Sequence, residues 1–475
     1  MTPNLPIILP QIILAAGGIL AYGAGAFLPR KRGLPFTIAM LTVAAALLAA
    51  LPGVRAAGEF AGLVDISPFS RFYTILLALI TLIALLFLHP YARRRNFDHE
   101  VLYGTLLFGA LGMVVLAAAS NWLGFFLGFE LLSISLYILI AIRREKEISY
   151  EAGIKYFIMG AVASSFLVFG IGLLYAGSGT LAIAASLRSM NSAGAAPLAL
   201  AGLGLILVGT GFKLSLVPFH LWAPDVYEGA PAPITAFLAT GTKIALFAFL
   251  LRLTRGQAIN EFLWPVLWAL AALTMIAGNL TALAQQRVKR LLAYSSVAHM
   301  GYLLMALLAG GDHGLAAVMF YSVVYGLMDL AVFAALGLMS PEDEDLNLLE
   351  ECRGLGYRHP LAAGLLALGL LALAGLPPTG GLVGKFLLFT AAFRAGFTGL
   401  AMIGIVTSIV SIYFYLKVIT ALYLQAPEAP EPRPLPGGPA GSGKLAALLL
   451  ILGLLWLGLL PQGLLEAIDR VIVAL

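Results

Sequence analysis

The chain has 475 residues, of which 61% are hydrophobic and only 11% are charged, with a net charge of +5. Soluble globular domains are usually about 25% charged, so this composition excludes an ordinary soluble domain and indicates an integral membrane protein. The single cysteine, Cys352, excludes a disulfide framework or a cysteine-based metal site within the chain. The basic residues are spread over many short segments, which indicates membrane orientation rather than nucleic-acid binding.

Apolar runs of roughly 20 residues, the length that crosses about 30 Å of hydrocarbon, recur along the sequence. Backbone groups in lipid must be satisfied within their own segment, so each run is predicted to be a helix. The first run is long enough to span and has no basic segment before it, so we expect a transmembrane helix and not a cleavable signal peptide. Hydropathy predicts an all-α polytopic membrane protein with about fourteen spans, near 5–28, 34–52, 70–89, 101–119, 121–142, 153–176, 197–221, 231–252, 262–284, 291–309, 314–340, 361–393, 395–424 and 443–461.

Basic residues are concentrated in alternate loops, and this asymmetry predicts the orientation of the chain. The richer set of loops carries Arg30, Lys31, Arg32, Arg93, Arg94, Arg95, Arg143, Arg144, Lys146, Arg287, Lys289, Arg290, Arg353, Arg358, Arg433 and Lys444. The poorer set carries Arg55, Arg71, Arg188, Arg252, Arg255 and Arg394. The positive-inside rule therefore predicts that the richer loops are cytoplasmic and that both termini lie on the outer side.

The loops are too short to form a large domain outside the membrane. The two longest polar stretches are 341–357 and 425–444, and neither is expected to build a core alone. The second contains GPAGSGK at 438–444, which nearly matches a nucleotide-binding P-loop. However, Leu445 stands where a serine or threonine should bind the metal, and no strand precedes the motif. We therefore predict a flexible linker, and we expect any soluble cofactor domain to belong to other subunits.

Ionisable side chains are predicted inside the apolar spans, where each costs roughly 2.5–3.5 kcal/mol on insertion scales. The residues are Glu130 in span five, Lys213 in span seven, Lys243 in span eight, Asp329 in span eleven and Lys385 in span twelve. Static buried ion pairs would explain them poorly, since three lysines and one glutamate cannot neutralise each other pairwise. Low dielectric disfavours the charged form of an amine without a partner, which lets it take up and release a proton. The pattern therefore predicts a proton relay.

Two spans are interrupted beside a buried lysine. Pro218 follows Lys213, and Pro377 and Pro378 precede Lys385 together with several glycines. Such discontinuous helices are typical of ion paths in transporters, because proline and glycine free backbone groups within the span. The breaks lie five spans apart, which predicts two five-helix repeats, spans 4–8 and 9–13, inverted because five is odd. The predicted parts are 1–100 (spans 1–3), 101–252 (first repeat), 262–424 (second repeat) and 425–475 (loop, last span and tail).

Two further residues are candidates for a secondary proton path. His299 lies inside span ten, where it would either bridge the lysines through water or act as a structural, hydrogen-bonded histidine. Lys155 follows Glu151 by four residues, a spacing that favours an interfacial ion pair. The nearby polar residues lack the clustering of metal ligands and are predicted to form a turn at the cytoplasmic surface; they are His220, Asp225 and Glu228.

Four sequence runs resemble the antiporter-like subunits of respiratory complex I, the NADH-quinone oxidoreductase. They are GFELLS at 128–133, GFKLSLVPFHLWAPDVYEGAP at 211–231, KRLLAYSSVAHMGY at 289–302 and GLPPTGGLVGKF at 375–386, and the similarity extends from about residue 100 to 425. Within that group the chain is similar to the subunit N family. Lys385 stands where subunit M typically has glutamate, the 475 residues leave no room for the long lateral helix of subunit L, and the turn at 222–231 is typical of subunit N.

This resemblance implies a role for each buried residue. Glu130 and Lys213 are expected to form the paired switch, Lys243 to be the connecting residue fed from the cytoplasm, and Lys385 to release the proton to the outer side. The first repeat is then the input half and the second repeat the output half. Asp329 departs from the family, in which a neutral residue, often asparagine, is expected; it is either a counter-charge for Lys385 or neutral and hydrogen-bonded.

The resemblance also implies partners. NADH, FMN, iron–sulfur clusters and quinone are expected in other subunits, with no cofactor or metal bound by this chain and no redox centre of its own. The expected partners are antiporter-like and small membrane subunits of complex I in the bacterial inner membrane. Two alternatives stay open: a homologous subunit of a cation/proton antiporter or membrane-bound hydrogenase, and a structural membrane anchor.

Overall fold

A computed structural model describes residues 5–28, 33–51, 57–188, 196–254, 263–425 and 441–474. Several residues of the orientation argument lie outside these ranges: Arg30, Lys31, Arg32, Arg55, Arg255 and Arg433. Most of the predicted linker at 425–444 lies outside them as well, including the start of the P-loop-like motif.

Helices make up almost all of the described chain. Their bounds are Leu9–Phe27 (α1), Leu34–Ala50 (α2), Pro68–Arg94 (α3), Glu100–Ala118 (α4), Trp122–Ile140 (α5), Glu147–Ser178 (α6), Ile183–Arg188 (α7), Ala196–Leu214 (α8), Trp222–Gly229 (α9), Ala232–Thr254 (α10), Leu263–Leu283 (α11), Val288–Ala309 (α12), Gly311–Met339 (α13), Leu355–Arg358 (α14), Pro360–Ala374 (α15), Gly380–Arg394 (α16), Thr398–Leu424 (α17), Gly441–Leu459 (α18) and Gln462–Val473 (α19). Short 3-10 turns occur at Leu5–Ile8 and Glu350–Cys352.

Twelve helices within the described ranges are long and apolar enough to cross a membrane. Helix α2 is apolar but shorter, and α15 and α16, of 15 residues each, are separated by a short break. These two cases together with the twelve correspond to the spans predicted from hydropathy. The predicted all-α polytopic membrane fold is therefore confirmed.

Three helices, α10, α12 and α13, form the centre of the bundle. Their apolar segments are almost wholly buried inside the protein, whereas α1, α6 and α18 bury well under half of theirs. A helix that is apolar on all sides is expected either in a protein core or against lipid. The three central helices lie in the protein core, and they carry Lys243, His299 and Asp329.

Several helix pairs of the described chain cross with their backbones in close contact, among them α6 with α8, α4 with α5, and α11 with α12. A Cβ atom added at Gly112 would lie 2.6 Å from the backbone nitrogen of Leu132, and one added at Gly278 would lie 2.7 Å from that of Ala298. Small residues allow this approach between membrane helices. The α4–α5 and α11–α12 pairs occupy the first two positions of the two predicted repeats.

A β-hairpin that hydropathy did not predict lies between α2 and α3. Gly58–Phe60 (β1) pairs antiparallel with Val64–Ile66 (β2), with Glu59 opposite Asp65. The turn passes through Ala61 and Gly62, both with positive φ. Asp65 accepts a hydrogen bond from Arg252 at 2.8 Å, which fixes the hairpin to the end of α10.

Candidate functional site

The first interruption lies directly after Lys213. Helix α8 ends at Leu214 and not at residue 221, so the predicted span was seven residues too long. Ser215 adopts a left-handed conformation with φ of 60°, which turns the chain out of the helix. The indole nitrogen of Trp222 donates a hydrogen bond to the carbonyl of Phe212 at 2.7 Å. The backbone group freed by the break is thus satisfied within the protein, as an apolar environment requires.

The second interruption separates α15 from α16. Helix α15 ends at Ala374, and Gly375, with φ of 80°, turns the chain away from the helix axis. Lys385 lies in the second turn of α16 and is 4% exposed. Its ammonium group donates to the carbonyl of Ala374 at 3.0 Å and to the hydroxyl of Ser408 at 2.8 Å. The lysine therefore reaches back across the break to the carbonyl end of the preceding helix.

Lys213 lies among hydroxyl and aromatic groups. Its ammonium donates to Ser133 on α5 at 2.7 Å and lies 5.0 Å from the centre of the Tyr156 ring. Glu130, one helical turn before Ser133, accepts a hydrogen bond from the hydroxyl of Ser164. Within the described chain, Glu130 and Lys213 are not within the 4.0 Å of an ion pair. Glu130 and Ser133 lie one turn apart on α5. Lys213, on α8, is bonded to Ser133 and does not touch Glu130.

Lys243 has the same kind of surroundings at the bundle centre. Its ammonium is 1% exposed, donates to the hydroxyl of Ser296 on α12 and lies 5.4 Å from the centre of the Tyr227 ring. Ser296 also contacts the hydroxyl of Tyr325 at 2.6 Å. Asp329, one turn further along α13, is 2% exposed and interacts electrostatically with Lys243. Asp329 therefore has an electrostatic partner in Lys243, and the alternative that makes it a counter-charge for Lys385 stays a prediction.

His299 lies on α12, in the second half of the chain, and is 1% exposed. Its ring nitrogens contact the hydroxyls of Tyr321 at 2.6 Å and Tyr415 at 3.2 Å. It interacts electrostatically with both Lys243 and Lys385. Each ring nitrogen has a hydroxyl partner, so the imidazole is oriented for exchange on both sides.

Serine hydroxyls are the common feature of this site, and sequence reasoning missed them. Lys213, Lys243 and Lys385 each donate to one serine, and Glu130 accepts from another; the four serines are Ser133, Ser164, Ser296 and Ser408. Ser133 follows Glu130 by three residues, and Ser296 precedes His299 by three. In a helix this spacing places each serine on the same face as the site residue, and it is the feature of the sequence that could have predicted these two serines. The partners come from helices far apart in the sequence, so the pairing itself had no local signature.

The residues of the site lie on neighbouring helices from one side of the bundle to the other. Helix α10 packs against α5 and α8, which carry the Glu130 and Lys213 groups, and against α12 and α13. Helices α12 and α13 pack in turn against α16, which carries Lys385. The helices that carry the buried charges therefore form a continuous row through the protein core.

A charged cluster closes one end of the bundle, around Asp345. This carboxylate accepts hydrogen bonds from Tyr91 at 2.6 Å, Lys289 at 2.9 Å, Arg95 at 3.2 Å and the backbone nitrogen of Ala232 at 2.9 Å. Burial raises the pKa of Asp345, but Lys289 and Arg95 outweigh it and lower the pKa to about 2. Since Ala232 begins α10, Asp345 fixes the helix that carries Lys243. We call this end of the bundle the Asp345 end.

A second ionic group at the Asp345 end includes Lys155. Lys155 contacts Glu151 at 2.6 Å and Asp225 at 3.0 Å and is 44% exposed, so it is separate from the buried lysines. Arg290 contacts Asp225 at 2.6 Å and Glu228 at 3.1 Å. The predicted polar turn is instead the short helix α9, held by these cations. A cavity of about 480 Å³ opens here, lined by charged residues of both groups including Glu228, Lys289 and Asp345.

Within the described residues, no group of three histidine, cysteine or carboxylate side chains could hold a metal ion. The polar groups of the core are amines, hydroxyls and single carboxylates. All of them can exchange protons. The arrangement is therefore suited to moving protons.

Comparison with known proteins identifies the family. The family model described as "NADH:quinone oxidoreductase/Mrp antiporter, TM" matches residues 119–411. NADH-quinone oxidoreductase subunit N 1 of Solidesulfovibrio magneticus is 48% identical over 463 residues, which cover 97% of this chain and 96% of the relative. Subunit N of Geotalea uraniireducens is 45% identical and covers 98% of both chains. The chain belongs to the subunit N family of NADH-quinone oxidoreductases.

Solved structures agree with this assignment to the subunit N family. A chain of respiratory complex I from Thermus thermophilus with bound aureothin aligns with a TM-score of 0.81 and 34% identity, covering 97% of this chain and 99% of that one. A chain of the Mrp complex from Dietzia aligns with a TM-score of 0.87 at 22% identity, covering 98% and 97%. The Mrp likeness establishes a shared fold alone, whereas the complex I chain shares both fold and sequence with this one.

Proposed function

We propose that this chain is a proton-translocating membrane subunit of an NADH-quinone oxidoreductase, and that the protons pass through its buried lysines. One observation carries the proposal: Lys213, Lys243 and Lys385 are each fully enclosed and each bonded to a serine hydroxyl. None of the three is within ion-pair distance of a carboxylate in the described part of the chain. Static charges kept for packing would be expected to have such partners.

The relay runs along the row of charges. A proton taken up through the first repeat charges Lys213. The distance between Lys213 and Glu130 sets the proton affinity of this lysine. Two unit charges ~6 Å apart at an effective dielectric of ~20 interact by about 3 kcal/mol, so a change in separation alters proton affinity about a hundredfold. Lys243 receives the proton and passes it by way of His299 to Lys385. Serine and tyrosine hydroxyls, which both donate and accept, are suited to carry it between the charged groups.

The two halves of the chain supply the two sides of the path. We assign the first repeat, 101–252, to proton uptake and the second, 262–424, to release. The close α4–α5 and α11–α12 crossings and the two interrupted helices support a repeated design. The Asp345 end gathers basic residues of the loops assigned to the cytoplasm, among them Arg95, Arg143 and Lys289. This assignment gives outward translocation, with both termini outside a bacterial inner membrane.

Partner subunits perform the redox chemistry. NADH, flavin, iron–sulfur clusters and quinone bind elsewhere in the complex, and neighbouring antiporter-like and small membrane subunits transmit the redox energy to this chain. The exposed apolar sides of α6, α17 and α18 are available for lipid and for such neighbours.

The assembled complex carrying Lys213→Ala tests the proposal against the alternative of a structural anchor. The relay requires a large loss of NADH-driven proton translocation in reconstituted vesicles, with assembly retained. Lys417→Ala is the matched control, because Lys417 is only partly buried and its ammonium donates to the side chain of Gln286 at 3.3 Å, away from the proposed relay. Full pumping and turnover with Lys213→Ala would make the chain an anchor.

A further inference from the structure

The proposed relay leaves one buried acid without a role. Asp329 lies mid-way along α13, is 2% exposed, and its Oδ2 atom is buried without a hydrogen-bond partner. An ionised carboxylate is costly there unless a cation faces it, and a neutral one needs a partner for each polar atom. The groups that surround Asp329 therefore determine whether its carboxyl group is ionised or neutral.

The packing of α13 on α10 fixes what Asp329 faces. A Cβ atom added at Gly326 would lie 3.1 Å from Ile244, and one added at Gly337 would lie 3.5 Å from Ala232. Positions increase along α13 as they decrease along α10, so the two helices are antiparallel. Asp329, three residues past Gly326, then lies opposite the turn of α10 that precedes Ile244.

The side chain of Lys243 extends to the same level. Helical side chains lean toward the N-terminus of their own helix, so Lys243 leans toward the turn that faces Asp329. The hydroxyl of Tyr325, one turn from Asp329, contacts Ser296 at 2.6 Å and donates to the carbonyl of Ala239 at 3.3 Å. Since Lys243 also donates to Ser296, one hydroxyl joins the lysine to the helix that carries the acid.

We propose that Asp329 is the resident counter-charge of Lys243, so that the chain contains a second acid–lysine pair in addition to Glu130 and Lys213. The inference rests on the proposed relay and extends it. An ionised Asp329 stabilises the proton on Lys243, at the point where the path passes from the first half to the second. Onward transfer then requires the lysine to move away from Asp329, as it requires Lys213 to separate from Glu130. Asp329 acts as a positioning charge and keeps no proton itself.

The test compares single and double variants in the assembled complex. Asp329→Asn keeps the shape and removes the charge, Asp329→Glu keeps the charge, and Asp312→Asn is the control at an exposed position in the first turn of the same helix. Asp329→Asn is expected to lower NADH-driven proton translocation at least about tenfold, the effect of about 1.4 kcal/mol. Asp329→Glu is expected to retain more pumping than Asp329→Asn, and Asp312→Asn to pump normally. Lys243→Gln completes a double-mutant cycle, in which the double variant pumps no worse than Lys243→Gln alone.

Three results would overturn the pairing. If Asp329→Asn pumps like Asp312→Asn, the acid is neutral and its charge is irrelevant. If the losses of Asp329→Asn and Lys243→Gln multiply, the two residues act separately. If Asp329→Asn is coupled to Lys385→Gln and not to Lys243→Gln, the acid belongs to the other lysine.

The melting temperature of the complex separates this inference from the relay itself. Pairing predicts that Lys243→Gln alone lowers the melting temperature, because it leaves a buried charge alone, and that adding Asp329→Asn restores it. This holds even if Lys213→Ala proves that no relay exists. Where a single variant fails to assemble, the double variant decides: restored assembly supports the pair, and continued failure contradicts it.

Discussion

The ammonium group of Lys385 donates a hydrogen bond at 3.0 Å to the carbonyl of Ala374, the last residue of α15. The carbonyl end of a helix carries roughly half a negative elementary charge. This partial charge stabilises the ammonium without binding it as firmly as a carboxylate would. Lys213 stands in the last turn of α8, at the carbonyl end of the other interrupted helix. Both breaks therefore provide a weak counter-charge, which is suited to a group that must also release its proton.

Removal of the Ser408 hydroxyl should weaken proton uptake by Lys385. Ser408→Ala deletes one of the two acceptors of Lys385 and leaves the carbonyl of Ala374. A hydrogen bond to a charged group contributes about 1.5–3 kcal/mol, so we expect proton translocation to fall by roughly tenfold or more. Ser411→Ala is the control, since its hydroxyl bonds the backbone of α17 and not the lysine. Pumping rates in reconstituted vesicles check this, and equal rates for the two variants would contradict it.

Loss of the Asp345 carboxylate should destabilise the chain at its charged end. Asp345→Asn leaves Lys289 and Arg95 with a buried charge and no acid between them. Breaking a buried pair in this way costs about 3–5 kcal/mol, and the melting temperature of the complex should fall by several degrees. Asp343→Asn is the control, because Asp343 is exposed and contacts Arg143 through its backbone oxygen. A melting temperature unchanged by Asp345→Asn would refute the role of this cluster.

The same carboxylate should give a defined pH dependence. The pKa of Asp345 is about 2 in the folded chain, below the value of about 3.9 in an unfolded one. Its stabilising contribution is therefore complete above about pH 5 and is lost as the pH falls from about 4 to 2. The difference in melting temperature between the native complex and Asp345→Asn should be constant from pH 7 to 5 and shrink below pH 4. A difference that shrinks already between pH 7 and 5 would show that another group titrates.

The close helix crossings should not tolerate a methyl group. Gly278→Ala places a Cβ 2.7 Å from the backbone nitrogen of Ala298, so α11 and α12 must separate. Overpacking of this kind typically costs 1–3 kcal/mol. Gly172→Ala is the control, since an added Cβ on α6 meets nothing within 4 Å. We expect a lower yield of assembled complex for Gly278→Ala only, as measured on native gels; equal yields would mean that the crossing is adaptable.

The sequence was sufficient for the number of spans, the two interruptions and the identity of the buried charges. These follow from local features: run length, Pro218 or Pro377 beside glycine, and an ionisable residue in an apolar run. The end of α8 at Leu214 was not predictable, because it depends on Trp222 folding back onto Phe212. The hairpin at 58–66 and the helix α19 were missed because hydropathy detects only long apolar runs.

Contacts between helices that are far apart in the chain could not be predicted from the sequence. Lys213 and Ser133 are 80 positions apart, and Lys243 and Ser296 are 53 apart, so no local pattern links them. One alternative from the sequence pairs Asp329 with Lys385, whereas the antiparallel packing of α10 and α13 supports the proposed pairing with Lys243. The residue types predicted the chemistry of the site, but they did not predict which side chains contact each other.

The central claim is that the three buried lysines carry protons one after another. Lys213, Lys243 and Lys385 should each be replaced by methionine, which keeps much of the side-chain length, and the assembled complexes compared for NADH-driven proton translocation and quinone reduction. A path in series predicts that each single replacement reduces translocation by a similar large factor, and that the triple variant is no worse than the singles. Full translocation and turnover in any of the three single variants would contradict the relay.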